Sequence, residues 1–308
     1  MSTDAPLIEA PRKNRLLLIL GGVLVLALVA GVIYAFVGKD DDKGTTTVTI
    51  GVIGGSEPYW EPFKQAAADE GIEVELVPFT EYTQPNPALT NEDVDLNQFQ
   101  HIVYLADYNV STKQDLVPIG STAIYPLPLY STKYDAVEDI PDGATVAVPN
   151  DPSNRARGLL VLQSAGLITL KSGGTTLSDL SDVDEAKSRV KVTELDASLT
   201  VTSLEDVAGA IINNDFAKDA GLDPDDVIAQ DDPSDPNALP YVNIFAARPE
   251  DADNPTYLKL VKIYQDTRAV TDGVVEDSGD TAVIVKTPVD ELKPSLARVE
   301  SEVRATKR

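Results

Sequence analysis

The chain has 308 residues, with 25 Lys and Arg against 50 Asp and Glu, a formal net charge of −25 at pH 7. This acidity excludes DNA and RNA as partners, because their phosphates would be repelled. The sequence contains no cysteine and a single histidine, which excludes a disulfide framework, thiolate metal sites, cysteine nucleophiles and lipid attachment through cysteine.

The first predicted element is a membrane span at residues 16–37, an apolar run of 22 residues without a charge. As a helix, at about 1.5 Å per residue, it would be long enough to cross a bilayer. Arg12, Lys13 and Arg15 precede it, so we expect residues 1–15 in the cytoplasm and the rest of the chain outside, on a single-pass protein of the cell membrane. The alternative is a cleaved signal peptide. Its apolar core would span about 7–15 residues, so the length favours a retained signal anchor.

A polar linker at 38–47 leads to an alternation of predicted strands and helices. The β-branched run 48–53 predicts a first strand, residues 61–70 a helix, and residues 73–79 a second strand. Because the alternation continues, the sequence predicts an α/β fold with mainly parallel strands.

Two apolar stretches, 116–130 and 241–247, are predicted to run between two lobes. We expect lobe 1 at 48–130 plus 241–308 and lobe 2 at 131–240. Two lobes joined in this way leave a cleft between them, and such clefts are where small ligands bind.

Helical patterns recur on both sides of the second crossing. Residues 154–165 and 204–210 predict helices within lobe 2, with a strand at 190–195 between them. Residues 256–271 and 290–307 predict helices in the last part of the chain. The last of these is highly charged, and we expect it to be solvated.

Little in the sequence indicates catalysis or a metal site. His101 is the only histidine, and no serine stands in a G-x-S-x-G motif. The Asp clusters at 223–226 and 231–235 lack the glycine and terminal glutamate of a calcium loop, so we expect solvated loops there. The sequence therefore predicts no enzyme, no cofactor and no metal site.

The segment 150–157 (NDPSNRAR) is the first candidate for a binding site. Ser153 or Asn154 is placed to cap the helix that follows, which would aim backbone N–H groups at the cleft. Arg157, one turn further on, could offer two hydrogen bonds to a carboxylate. The alternative is an ordinary helix cap followed by a surface arginine.

Aromatic and amide side chains form the two other candidates. The rings of Phe99, His101 and Tyr104, with Tyr82 upstream, could wall an apolar pocket, the alternative being core packing. The amides Asn213 and Asn243 end or begin apolar runs. They could hold an ammonium or carboxylate group, or tie a turn together.

Four strings make the sequence similar to a known family. They closely resemble NlpA-type proteins, the methionine-binding proteins that feed an ABC importer. The resemblance extends from about residue 48 to about 286. It rests on FTEYTQPNPAL (79–89), DVDLNQFQHIVYL (93–105), PDGATVAVPNDPSNRARGLLVLQSAGLI (141–168) and AIINNDFAKDAGL (210–222).

The resemblance implies a two-lobed, periplasmic-binding-protein-like α/β fold that closes on its ligand by a hinge. It implies that the protein binds methionine or a close analogue and delivers it to an ABC permease with its ATPase. By the same resemblance, Arg157 would bind the ligand carboxylate and Asn213 and Asn243 its head group. The ligand-binding set is then Tyr82, Phe99, His101, Tyr104, Asn154, Arg157, Asn213 and Asn243.

The chain departs from the family pattern at several points. Family members are typically lipoproteins, and this sequence has no cysteine, so the membrane helix would replace the lipid anchor. The turn 54–60 differs from the family's proline–glycine pattern, Asp215 replaces a second amide after Asn213, and residues 290–308 fall outside the resemblance. The alternative function is a membrane-anchored amino-acid-sensing receptor or adhesin that uses this fold without transport.

The pocket's composition predicts its specificity. Flat, polarizable walls suit a thioether, so methionine should bind better than leucine, glutamate or lysine. Protonation of His101 would add a charge, so we expect weaker binding below its pKa, which is roughly 6.5 for an unperturbed histidine.

Overall fold

The computed structural model describes residues 45–235 and 238–306. The predicted cytoplasmic segment (1–15) and signal anchor (16–37) lie outside these residues. Within the described part, no helix is both long and apolar enough to cross a membrane.

The described residues form two five-stranded sheets flanked by helices, with one small two-stranded sheet. The strands are β1 Thr46–Ile53, β2 Ile72–Phe79, β3 Leu96–His101, β4 Val117–Ser121, β5 Ala123–Ile124, β6 Pro128–Tyr130, β7 Thr145–Pro149, β8 Lys191–Leu195, β9 Gly209–Ile211, β10 Val227–Gln230, β11 Asn243–Ala247 and β12 Val283–Ile284. The α-helices are α1 Trp60–Asp69, α2 Pro85–Thr90, α3 Ile102–Thr112, α4 Pro152–Ser164, α5 Asn214–Asp219, α6 Pro255–Asp266, α7 Arg268–Asp277 and α8 Val289–Thr306.

The first sheet has the strand order β2-β1-β3-β11-β4. Helices α1, α6 and α7 cover one face, and α2, α3 and α8 cover the other. Strand β11 shows why both faces are apolar: Phe245 packs into one core, and its neighbours Ile244 and Ala246 pack into the other. We term this sheet with its six helices the first lobe.

The second sheet has the order β10-β6-β9-β7-β8. Leu129, Val146 and Val148 from its strands pack with Leu159 and Leu162 of α4 to form a separate core. We term this sheet with α4 and α5 the second lobe. The molecule therefore has two separately packed sheets, each with its own helices, and a cleft can lie between them.

The strand pairing is mixed rather than mainly parallel. β1 pairs in parallel with β2 and β3, and β7 with β8 and β9, whereas β11, β6 and β10 pair antiparallel with their neighbours. The antiparallel pairs are those of the strands next to the crossings, where the chain enters or leaves a sheet without an intervening helix. The α/β class holds, but the expectation of mainly parallel pairing is wrong.

The chain passes between the sheets at two places. It leaves β5 of the first lobe and enters β6 of the second across residues 125–127, and it returns between β10 and β11. Residues 128–130 therefore belong to the second sheet, although the sequence placed them in lobe 1. The lobe boundaries at 130/131 and 240/241 stay a prediction.

Two of the predicted helices differ from the structure. Residues 204–210 do not form a helix: a short 3-10 turn, Thr202–Glu205, is followed by strand β9. Residues 256–271 divide into α6 and α7, because Thr267 between them has extended backbone angles.

Helix α8 is not fully solvated as expected. Its residues Leu292, Leu296, Val299 and Val303 are buried in the core shared with α3. Its charged residues lie on the opposite face, so it is an amphipathic helix of the first lobe.

Candidate functional site

The eight predicted site residues line one pocket between the two lobes. The first lobe contributes five of them, from β3, the start of α3, the start of β11 and the loop after β2, and the second lobe contributes three, from α4 and the start of α5. The pocket is lined by Tyr82, Phe99, Gln100, His101, Tyr104, Tyr125, Pro126, Leu127, Asn154, Arg157, Asn213, Asn214, Asp215 and Asn243. Their role in binding stays a prediction, but the structure brings all eight together.

His101 ends β3 and caps α3. Its Nδ1 accepts a hydrogen bond from the backbone N–H of Tyr104 at 3.2 Å, so Nε2 carries the proton and faces the Asn154 Oδ1 at 3.3 Å. Burial, helped by the nearby charge of Arg157, lowers the pKa of His101 to about 3. The pKa of roughly 6.5 for an unperturbed histidine therefore does not apply here, and His101 stays neutral across the physiological range.

Asp151, not Ser153 or Asn154, is the N-cap of α4. Its carboxylate accepts from the backbone N–H of Asn154 at 2.9 Å and from the Ser153 hydroxyl at 2.9 Å. Ser153 and Asn154 are buried in the first turn of the helix instead. The sequence placed the cap two or three residues too late because all three residue types are good caps.

The Asp151 carboxylate also fixes the orientation of the Asn154 amide. Asn154 Nδ2 donates to both carboxylate oxygens at 3.1 Å, so the Asn154 Oδ1 points the other way. There it accepts from Asn213 Nδ2 at 3.1 Å and faces His101. One carboxylate thus sets the orientation of two amides, and it places the Asn154 oxygen opposite the protonated Nε2 of His101.

The Asn213 Oδ1 is left without a hydrogen-bond partner among the described residues, although it is buried. Such an atom costs free energy unless something binds to it. Asn213 lines the pocket, so this unpaired acceptor belongs to a pocket-lining side chain.

Arg157 is buried, only 5% exposed, and is not a surface residue. Its Nε and Nη2 donate to the two Asp231 oxygens at 2.5 and 3.1 Å, and Nη2 also donates to the Tyr125 carbonyl at 2.8 Å. The ring of Tyr241 lies 4.4 Å from the guanidinium carbon. These contacts hold the guanidinium rigidly at the pocket wall.

Sequence reasoning missed Asp231, which it placed in a solvated loop. Its carboxylate instead forms the ion pair with Arg157 and accepts from the backbone N–H of Leu127 at 2.7 Å. The available signal was its position just before the return crossing, since that crossing must bring the chain back to the pocket. A buried arginine needs an acidic partner, and this segment supplies it.

The rings of Tyr82, Phe99 and Tyr104 line the apolar wall of the pocket. The centroid of Tyr82 lies 5.9 Å from that of Phe99 and 6.0 Å from that of Tyr104, and Phe99 and Tyr104 are 5.7 Å apart. Phe216 of the second lobe does not line the pocket but packs against Tyr82, with the two ring centroids 4.9 Å apart. These distances are typical of attractive edge and tilted ring contacts.

Asp215 lies on the second-lobe side of the pocket. The Tyr82 hydroxyl donates to its Oδ2 at 2.8 Å, which joins the two lobes. Burial raises the pKa of Asp215 to about 6, although the bond from Tyr82 opposes the rise. The sequence marked Asp215 as a departure from the family but gave it no role.

Asn243 opens β11 and stands opposite His101 in the sheet register. Its backbone carbonyl accepts from the N–H of Thr122 at 2.8 Å. This bond fixes the main chain of Asn243, and the Asn243 side chain lies in the pocket lining.

The comparisons with known proteins point in one direction. The family model described as NlpA lipoprotein matches residues 48–285. A D-methionine-binding lipoprotein MetQ of Salmonella typhi is 38% identical over 78% of this chain and 88% of its own.

Two solved structures share the fold at similar identity. The substrate-binding protein of a methionine transporter from Streptococcus pneumoniae has a TM-score of 0.72 and 35% identity, over 78% of this chain and 95% of its own. A nutrient-binding protein from Burkholderia cenocepacia, bound to methionine, has a TM-score of 0.71 and 36% identity, over 77% of this chain and 99% of its own. The two-lobed α/β substrate-binding fold predicted from the sequence is thus confirmed.

Proposed function

The chain belongs to the NlpA lipoprotein family, and from this we propose that it is the extracytoplasmic substrate-binding protein of an ABC importer for methionine. It binds the amino acid in the pocket between the lobes and delivers it to a membrane permease with its ATPase. The observation that carries the proposal is the meeting of all eight predicted side chains around one interlobe pocket. Relatives at this identity are substrate-binding proteins of transporters, not enzymes.

The pocket has distinct places for the two ends of an amino acid. Arg157 is fixed by Asp231 through Nε and Nη2, so its Nη1 side is the part offered to a ligand carboxylate. Asn213 and Asn243 lie on the same lining and offer amide groups to the head group. An arginine held in this way loses little conformational entropy when it binds.

The aromatic wall takes the side chain. Contacts between a thioether sulfur and aromatic rings contribute about 0.3–1.5 kcal/mol each, and Tyr82, Phe99 and Tyr104 present three rings. A branched side chain that misfits by one methylene loses about 1–3 kcal/mol. Methionine should therefore bind better than leucine, and charged side chains should not bind measurably, because burial against the rings would remove their hydration.

Ligand identity and the role of Arg157 are tested on the purified full chain. Mass spectrometry of co-purified ligand should find methionine. In calorimetry, Arg157→Ala should weaken methionine binding by about 2–5 kcal/mol, since the ligand carboxylate would be buried without a partner. Thermal unfolding should show that the variant is folded.

Arg155→Ala is the matched control. Arg155 lies on the same helix but pairs with Glu194 outside the pocket, so its loss should leave methionine binding nearly unchanged. Equal and small losses in both variants would contradict the assignment of Arg157. Co-purification and tight binding of an acidic or basic amino acid would contradict the assignment of the ligand.

We propose that residues 16–37 anchor the protein in the membrane and that the binding domain lies outside the cytoplasm. The support is the uncharged run of 22 residues and the absence of any cysteine that could carry a lipid. Cell fractionation with an intact-mass measurement should find the uncleaved chain in the membrane fraction. A secreted species that starts near residue 40 would show that the segment is a cleaved signal peptide.

A further inference from the structure

The lining of the pocket contains one positively and one negatively charged side chain, and this pair indicates which ligand groups the pocket can bind. Among the described residues that line it, Arg157 is the one cation and Asp215 the one carboxylate, since His101 stays neutral. A free amino acid carries the complementary pair, one carboxylate and one ammonium group. Arg157 is suited to the first, which leaves Asp215 facing the second.

No cation forms an ion pair with Asp215 within the described residues, although the charge of Lys218 acts on it at longer range. The neighbouring Lys218 of the same helix pairs with Asp277 instead. The bond that Asp215 receives comes from the neutral Tyr82 hydroxyl and uses only Oδ2. A carboxylate in this position is stabilised by any cation that enters the pocket.

A second acceptor is the side-chain oxygen of Asn213, two residues before Asp215 in the sequence. The Asn213 Oδ1 is buried and unpaired among the described residues, and its orientation is fixed through Asn154 by Asp151. An ammonium group has three donors and no acceptor. A carboxylate and an unpaired amide oxygen at the start of α5 therefore match its needs.

We propose that Asp215, together with the Asn213 Oδ1, forms the ammonium subsite of the pocket, and that its charge makes this protein select ligands with a free, protonated amino group. The proposal rests on the proposed function. It goes beyond it by assigning a residue and a selectivity to this chain, in which an acid stands where the family resemblance gives an amide.

The subsite also explains how ligand binding could strengthen a hydrogen bond between the two lobes. Asp215 belongs to α5 of the second lobe, and Tyr82, which donates to it, follows β2 of the first. An ammonium group on Asp215 favours the ionised carboxylate, and an ionised carboxylate is the better acceptor for the Tyr82 hydroxyl. Binding of the amino group thereby strengthens a contact between the lobes.

The test compares two ligands on the full chain: methionine and 4-(methylthio)butanoate, which is methionine without its amino group. Asp215→Asn keeps the shape of the side chain and an acceptor for Tyr82. The variant should bind methionine about 10- to 100-fold more weakly, because it loses a bond between two charged groups. Its affinity for the deaminated analogue, measured by competition, should be unchanged or higher.

Asp219→Asn is the control, because it removes the same charge from an exposed position on the same helix. It should leave the affinities for both ligands unchanged. Loss of methionine affinity in Asp219→Asn equal to that in Asp215→Asn would assign the effect to long-range charge and overturn the proposal. Unchanged methionine affinity in Asp215→Asn, or equal losses for both ligands, would overturn it too.

Proton release gives a second, independent measurement. At pH 6, part of the Asp215 population is protonated in the free protein, with Glu57, Asp219, Lys218 and the Tyr82 hydroxyl as the surrounding groups. Methionine binding should release these protons, which calorimetry in two buffers of different ionisation enthalpy detects, and the release should vanish in Asp215→Asn. Methionine that fails to bind the wild type would instead refute the proposed function, so the two failures are distinguishable.

Discussion

At the scale of single residues, the pocket depends on one half-buried carboxylate, Asp151, which does not line it. Asp151 caps α4 and orients Asn154, and Asn154 in turn faces His101 and binds Asn213. Each bond is near 3 Å, so a change in any member alters the hydrogen-bonding pattern of the others. The pocket is therefore preorganised before a ligand arrives.

The neutral state of His101 makes a testable prediction about stability. Its pKa of about 3 in the folded protein lies below the value of about 6.5 for an unfolded histidine. The unfolded state therefore takes up a proton that the folded state does not, so stability is lost as the pH falls from about 6.5 towards 3. Between pH 7.5 and 5.5 this group alone should lower the free energy of unfolding by about 1.4 kcal/mol.

His101→Asn is the variant that isolates this effect. Asparagine is a good N-cap and can accept the bond from Tyr104, so α3 keeps its cap. Denaturant unfolding of both proteins at the two pH values should show the smaller pH dependence in the variant. Carboxyl groups outside the network of Asp151, Asn154 and His101 contribute equally to both proteins and cancel. The same pH dependence in both proteins would mean that His101 titrates normally.

The site was easier to predict from the sequence than its ionic partners were. The predicted residues stand in short strings at the ends of apolar runs, where strands and helices of an α/β fold bring them to one edge of each sheet. Asp231 and Asp215 lie in polar segments that resemble ordinary loops. Their importance comes from the arginine and tyrosine that the fold places beside them, and a single sequence does not show that proximity.

At the scale of elements, residues 204–210 show why local pattern was insufficient. Their composition favours a helix, but Gly209 lies so close to the neighbouring strand that a Cβ there would be 2.9 Å from the Tyr130 carbonyl. The segment fills the position between β6 and β7. Strand pairing with both neighbours decides the structure there, and that information is not local.

The packing of helix α8 predicts how substitutions on its two faces change the free energy of unfolding. Leu292 is fully buried between α8 and the core of the first lobe, so Leu292→Ala should lower the free energy of unfolding by about 2–5 kcal/mol. Lys293→Ala, at the adjacent exposed position, should change it by less than about 0.5 kcal/mol. Chemical denaturation of the two variants makes the comparison. Equal and small effects would mean that α8 is the solvated helix that its charge suggested.

At the scale of the whole molecule, α5 joins the two lobes by two polar contacts. Asp215 accepts from Tyr82, and Lys218 forms an ion pair with Asp277 at the end of α7 in the first lobe. Both contacts require the lobes to be close together. They oppose the repulsion expected between two lobes of an acidic protein.

The ion pair between Lys218 and Asp277 should therefore favour the closed, ligand-bound state over an open one. Since its lysine is about one-third exposed, its contribution should be that of a partly exposed pair, about 0.2–1 kcal/mol. Lys218→Ala should weaken methionine binding by up to about fivefold and raise the ligand-free radius of gyration in small-angle X-ray scattering. The affinity changes because only the closed state contains the bond.

Lys259→Ala separates closure from the mere loss of an ion pair. Lys259 binds Glu70 at 2.5 Å, and both residues belong to the first lobe. Its removal takes away the same charge and a similar bond without touching the interface between the lobes, so methionine affinity and radius of gyration should stay at wild-type values. If Lys259→Ala weakened binding as much as Lys218→Ala, net charge rather than contact between the lobes would control affinity, and α5 would have no part in closure.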